Sequence, residues 1–172
     1  MRLRDVTLDD RALWVRLRCD PVMWTELGGP QSPERIPDKL KADVAAVEAD
    51  ESWIAVVESD DGEPMGSVCI WTKQHDGAPV SEIGWMVLPE FQGRGIGKAS
   101  VRAILDRARA EGRWGVIHAY PGVTNGPSNG ICRSLGFTLV ETEDFDYFGQ
   151  RLRCNHWQID PTAVAQPTGE VL

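Results

Sequence analysis

The stretch Gln92-Gly93-Arg94-Gly95-Ile96-Gly97 is the part of this chain best suited to chemistry. Glycines stand at alternate positions between a strand-like run, Glu82 to Pro89, and a helix-like run, Lys98 to Glu111. Without Cβ atoms, N–H groups at such a turn converge on an anion, and the positive end of the helix dipole favours it. Arg94 and Lys98 add charge at the same end. The expected guest is a phosphate or pyrophosphate; a plain tight turn is the competing reading. Two phosphate loops are excluded. A Walker loop needs glycine first and a hydroxyl residue after Gly-Lys, but position 92 is Gln and Ala99 follows Lys98. A dinucleotide fingerprint needs a glycine three residues after its second, where this chain has Lys98.

The elements that position this turn can be read from periodicity and turn residues. Leu3 to Val6 reads as a strand. Thr7 to Asp10 has capping-box spacing, and Leu13, Trp14 and Leu17 follow at helical intervals. Cys19 to Pro30 reads as a loop. A second helix starts at Ser32-Pro33 and runs to about Ala49, with Pro37 expected to break it near its start. Trp53 to Glu58 and Met65 to Thr72 read as strands around an Asp60-Asp61-Gly62 turn. Gln74 to Pro79 reads as a loop and Ser81 to Leu88 as the strand feeding the glycine turn. Val101, Ile104, Leu105 and Ala108 share one helix face, and Gly112 ends that helix. Gly115 to Tyr120, Phe137 to Glu141 and Leu152 to Ile159 read as strands, with a short helix from Pro127 to Ser134. Trp14, Trp53 and Trp157 read as core. The expectation is one domain over residues 1–160 and a loose tail over 161–172.

Composition narrows the function classes. The chain has 172 residues, 42% of them hydrophobic, enough for one ordinary core. No run approaches the roughly 20 apolar residues that span a bilayer, and the N-terminus lacks a secretory h-region. Cys19, Cys69, Cys132 and Cys154 show no CxxC spacing, which argues against a zinc site or disulfide framework and for a reducing cytoplasm. A formal charge of −8 disfavours a nucleic-acid partner. It suits a cationic acceptor, although most acidic proteins are simply soluble.

A third phosphate pattern fits: Gln/Arg, two residues, Gly, one residue, Gly/Ala, met by Gln92, Gly95 and Gly97. Downstream, Asn125 opens a turn, Ser128 follows three residues later, and Leu135-Gly136-Phe137 closes a short helix. In this order and spacing, the two motifs resemble those of the GNAT superfamily of N-acetyltransferases. The resemblance covers about residues 5 to 160 and is strongest between 80 and 140. It implies an α/β fold, a mixed central β-sheet with helices on both faces and a pair of strands that splay apart. It also implies acetyl-CoA as cosubstrate, with no metal.

By that resemblance, Gln92, Gly93, Arg94, Gly95, Ile96, Gly97 and Lys98 hold the pyrophosphate. Trp85, Met86 and Val87 lie beside the pantetheine arm and thioester, and Asn125, Ser128 and Asn129 flank the arm. The plain reading of residues 85–87 is a buried strand. Glu82 is the first candidate for general base and His118 the second; a solvated strand end and a half-buried histidine are the plain alternatives. Family members often carry a proton-donating Tyr seven residues after the motif Asn. Here that position is Cys132, a candidate acid or a small apolar filler. Trp24, Glu26, Tyr120 and Tyr147 are candidate acceptor contacts, with the segment Asp144 to Phe148 as a candidate wall. The expected activity is acetyl transfer to a small-molecule or peptide amine by direct attack in a ternary complex. A non-catalytic acyl-CoA-binding module and a protein for another phosphate ligand, such as a nucleotide, are the alternatives. The family often forms dimers, so a homodimer is also an expectation.

Overall fold

Hydrophobic alternation at period two and apolar stripes at period 3.6 resolve, among the described residues, into seven strands and four α-helices. The protein is described as a computed structural model over residues 1–25, 29–75, 77–147 and 149–163. The strands are β1 (Arg2–Asp5), β2 (Ser52–Glu58), β3 (Pro64–His75), β4 (Ala78–Val87), β5 (Ile117–Ala119), β6 (Thr138–Tyr147) and β7 (Gln150–Ile159). The helices are α1 (Arg11–Cys19), α2 (Ile36–Glu48), α3 (Ile96–Glu111) and α4 (Gly126–Ser134). Before α1, the Thr7 N–H donates to Asp10 Oδ2 at 2.8 Å, and Leu13, Trp14 and Leu17 are buried behind it. Pro37 does not break α2. It sits in the first turn, where its missing N–H has no intrahelical acceptor to lose. Among the described residues no helix is long and apolar enough to cross a membrane.

One sheet runs in the order β1-β2-β3-β4-β5-β7-β6. Neighbours are antiparallel except β4 and β5, which run parallel. That parallel pair registers only at Ser81↔Ile117 and Glu82↔His118. Beyond Glu82, β4 continues to Val87 with no β5 partner, so the two strands part there. Side chains alternate between the two sheet faces. Trp53 on one face meets α3, with Arg107 Cζ 4.0 Å from its ring centroid. Cys69, on the other face, lies in the field of Arg18 on α1 and of Asp43 and Lys39 on α2. The helices therefore cover both faces, and Trp14, Trp53 and Trp157 all lie in the core.

Two expectations about strand ends need correction. Gln74 to Pro79 is not a loop: Gln74↔Pro79 and His75↔Ala78 are registered pairs. Gly77, at φ 79°, supplies the left-handed residue that lets a tight hairpin replace it. The strand after Phe137 does not stop at Glu141 but runs to Tyr147, past a register shift between Leu139 and Glu141. Its polar sequence hid it, since an edge strand accommodates charge on both faces.

Candidate active site

The glycine turn links β4 to α3. Gly93 and Gly95 adopt φ 73° and 78°, where an L side chain is strained, while a Cβ at either would meet no atom within 4 Å. Backbone shape demands these glycines, and the absence of side chains leaves the turn open in front. Gly97 is required for a different reason: a Cβ there would lie 3.1 Å from Ile131 Cδ1 and 3.6 Å from Val87 Cγ2. Its bareness lets α3 approach α4 and the free end of β4. Gly95 caps α3 without a side-chain bond, and no acidic residue stands in the first turn. The first-turn N–H groups thus face an uncountered dipole end, which suits a diphosphate. Arg94 is exposed and Lys98 half-buried beside it. The Gln92 N–H is committed to Pro89 O at 3.2 Å and its side-chain amide donates to Val87 O at 2.8 Å. Gln92 therefore ties the turn to the strand end.

Trp85, Met86 and Val87 are half-buried on the unpaired part of β4. On that side they have no strand partner, and Val87 O is held by the Gln92 amide. Across the gap, Asn125 caps α4, its Oδ1 accepting the Ser128 N–H at 3.1 Å. Asn129 is 3% exposed. Its amide donates to Gly122 O and Asn125 O, and its oxygen accepts from Asn155 Nδ2 and Trp157 Nε1. That side chain has no capacity left for a ligand, so Asn129 braces α4 against β7 instead of touching the arm. Cys132 is fully buried in the core, and burial pushes its thiol up to about 12. A donor that weak does not protonate a thiolate leaving group, so the candidate acid is a core filler.

A second cluster forms on the face away from α3. Glu82, Lys73 and His75 share that face through the β3–β4 register, and His118 joins them as the partner of Glu82. All three histidines of the chain meet here. His118 Nδ1 lies 2.7 Å from His156 Nε2, and His156 Nδ1 lies 2.8 Å from Glu143 Oε1. The Tyr120 ring stacks on His156 with centroids 4.7 Å apart, and Phe145 meets Tyr120 edge-on at 4.9 Å. Lys73 is ion-paired with Glu82.

The contacts limit the tautomers. His118 Nδ1 and His156 Nε2 lie within hydrogen-bond distance, so one ring donates and the other accepts. With the proton of that bond on His118 Nδ1, His118 Nε2 carries the ring's lone pair. Burial, followed by the repulsion of His156, His75 and Lys73, pushes the His118 imidazole below its ordinary value of 6.5. It is uncharged at neutral pH. Burial raises the Glu82 carboxyl above its usual range, against the pull of Lys73. Side by side stand a neutral imidazole with an available nitrogen and a carboxylate that accepts a proton readily.

Six candidates thus lie at the parted strands or on the cluster face: Glu82, His118 and Tyr120 in the cluster, and Trp85, Met86 and Val87 on the gap. Trp24 does not join them. It is 1% exposed, its Nε1 donating to Leu17 O at 2.8 Å, and it belongs to the interior beside α1. Glu26 and Phe148 lie outside the described residues, as do the Tyr147 side chain and residues 164–172. Asp144 to Tyr147 form strand, not loop, and among the described side chains of this segment Phe145 reaches the cluster. Sequence reasoning missed Lys73, His75, Glu143 and His156. The parity of Lys73 with Glu82 was accessible only through the hairpin register, and His156 only through the insertion of β7 between β5 and β6.

The fold recurs in solved acetyltransferases. Mycobacterium smegmatis RimJ, solved in complex with CoA-disulfide, superimposes with a TM-score of 0.79 at 23% identity, covering 95% of this chain and 83% of that one. YncA of Salmonella typhimurium, solved with acetyl-CoA and titled a putative acetyltransferase, gives 0.77 at 23% identity over 98% of both chains. The ribosomal-protein-S5-alanine acetyltransferase of Vibrio fischeri gives 0.77 at 16% identity, over 94% and 93%. At these identities the likeness is one of fold. The family model described as the acetyltransferase (GNAT) domain matches residues 1–138, which include the whole glycine turn and α4. The chain belongs to the GNAT family of acetyltransferases, whose acyl donor is acetyl-CoA.

Proposed function

We propose that this protein transfers the acetyl group of acetyl-CoA to an amine by direct attack in a ternary complex, with no covalent enzyme intermediate. One observation carries the reading: Glu82, His118, Tyr120, His156 and Glu143 gather on the sheet face opposite α3, at the level where β4 and β5 part. A donor held on the α3 side and an acceptor held on the far side then meet through the gap.

The N–H groups from Gly93 to Lys98 bind the diphosphate, and the Arg94 and Lys98 side chains add to its attraction. The β4 backbone at Trp85, Met86 and Val87, where β5 no longer pairs, receives the pantetheine arm, and a backbone N–H near Val87 polarises the thioester carbonyl. Acetyl-CoA supplies an activated acyl group with a good leaving thiolate, so no strong acid is needed. An alkylamine with a pKa of about 10.4 arrives protonated. The Glu82 carboxylate and the rings of Tyr120 and Phe145 hold that ammonium. His118 Nε2 takes its proton, with His156 and Glu143 holding the imidazole in the competent tautomer. Burial of the bound ammonium lowers its pKa and eases this transfer.

The test is release of free thiol from acetyl-CoA against a panel of alanine-terminated peptides, lysine peptides, polyamines and amino acids. At least one amine is expected to release thiol stoichiometrically with its own acetylation. If CoA raises the melting temperature but no amine releases thiol, the chain is a binding module instead.

A further inference from the structure

The acceptor-side cage already contains an ammonium, and it belongs to the protein. Lys73 extends from β3 onto the cluster face and ion-pairs with Glu82. Its Nζ sits 4.2 Å from the centroid of the Tyr120 ring and 5.2 Å from that of Phe145. Two π faces and a carboxylate around one primary ammonium form a complete recognition site for that group. Glu82 is also the residue of the last β4–β5 pair, so Lys73 reaches the level at which the strands open. The Lys73 side chain is 28% exposed and that of Glu82 15%.

We infer that Lys73 is an intramolecular acceptor: without another amine, acetyl-CoA acetylates its Nζ. This inference rests on the function proposed above, since it uses the same donor and gap. The Lys73 ammonium first gives one proton to the Glu82 carboxylate. The freed amine attacks the thioester carbon, so an N–C bond forms and the C–S bond breaks. The electron pair leaves with sulfur, and the thiolate takes the second nitrogen proton. One ammonium and one thioester become one amide, one thiol and one released proton. The cage thereby specifies its external ligand as well. That ligand is a linear primary alkylammonium, the chemical class of a lysine side chain or a polyamine end. Acetylated Lys73 is neutral, and Glu82 becomes free for the incoming charge.

The experiment incubates the full-length protein with acetyl-CoA alone and follows intact mass and peptide maps. The expected result is one acetyl group on Lys73, added with a rate constant independent of protein concentration and well ahead of Lys39, Lys41 and Lys98. Lys73→Arg keeps a cation in the cage but has no acylatable amine and should lose this early acetyl. Glu82→Gln should slow the labelling of Lys73 and leave that of Lys41 as it was. Labelling of Lys73 no faster than of Lys41, or an unchanged mass in a preparation that acetylates an added amine, overturns the inference. If neither Lys73 nor any amine is acetylated, the proposed function itself has failed.

Discussion

Two clusters of charge lie at different places in the sheet and use the same residue types to opposite effect. At the β1–β2 edge, Arg4 donates to Asp10 at 2.8 and 2.6 Å and also to Glu58, while Arg2 donates to Glu58 at 2.8 Å. Both carboxylates are 5% exposed. Burial would raise Asp10, but the Arg4 and Thr7 bonds outweigh it and leave the carboxyl below its usual range. The Arg4 bond leads in holding Glu58 low as well. In the histidine cluster the outcome reverses: the Glu82 carboxyl is raised and the His118 imidazole is lowered. One cluster pairs every charge and fastens a strand to a helix cap. The other leaves a carboxyl shifted up and an imidazole shifted down, each towards its uncharged form. Proton transfer needs groups of the second kind, and structural pinning needs the first.

The sharpest way to break this contrast is to remove the imidazole. His118→Gln should lower kcat by about 100- to 1,000-fold, the range of a lost general base, with acetyl-CoA affinity retained in calorimetry. Next in size, Gly95→Val forces a β-branched residue into the left-handed region and puts a side chain at the mouth of the turn. The αL penalty alone is about 1–2 kcal/mol. Acetyl-CoA affinity should fall tenfold or more while circular dichroism stays native. At the other cluster, Asp10→Asn should cost about 1–3 kcal/mol in urea unfolding, with kcat and KM unchanged. Its penalty is moderated because Arg4 is a third exposed. A fall in kcat there would erase the distinction between the clusters. The smallest effect is expected for Cys132→Ala, which should retain most turnover. A loss of about a thousandfold, or about 4 kcal/mol, would reinstate the thiol as an acid.

The clusters also differ in how pH acts on stability. Asp10 and Glu58 titrate lower in the folded chain, so their contribution is present above the ordinary carboxylate range and is lost as pH falls through it. His118 is depressed too, so the unfolded chain binds more protons near 6.5 and folding weakens as pH drops below that value. Glu82, being raised, acts in the opposite sense: its protonated form favours folding, and that contribution fades as pH climbs through its elevated pKa.

The glycine turn was legible because its constraint is local. Positive φ at Gly93 and Gly95 and close approach at Gly97 each leave a mark in sequence. The succession of elements was legible for the same reason. Spatial order was not. Nothing local says that β7 lies between β5 and β6, and that insertion brings His156 to His118. Lys73 looked like an ordinary polar residue near a strand end, since the hairpin extends through residues that were read as loop. Trp24 and Asn129 show the reverse error. Residue types suited to ligands were both consumed by the interior, one through its bond to Leu17 O and the other through four internal bonds.

The pH dependence of kcat/KM for the acceptor amine tests the assignment of His118 most directly, measured in parallel for the native protein and for His118→Gln. The account predicts a one-proton acid limb below pH 6.5 in the native protein and its disappearance in the variant. An identical limb at an unchanged position in the variant would show that the base lies elsewhere.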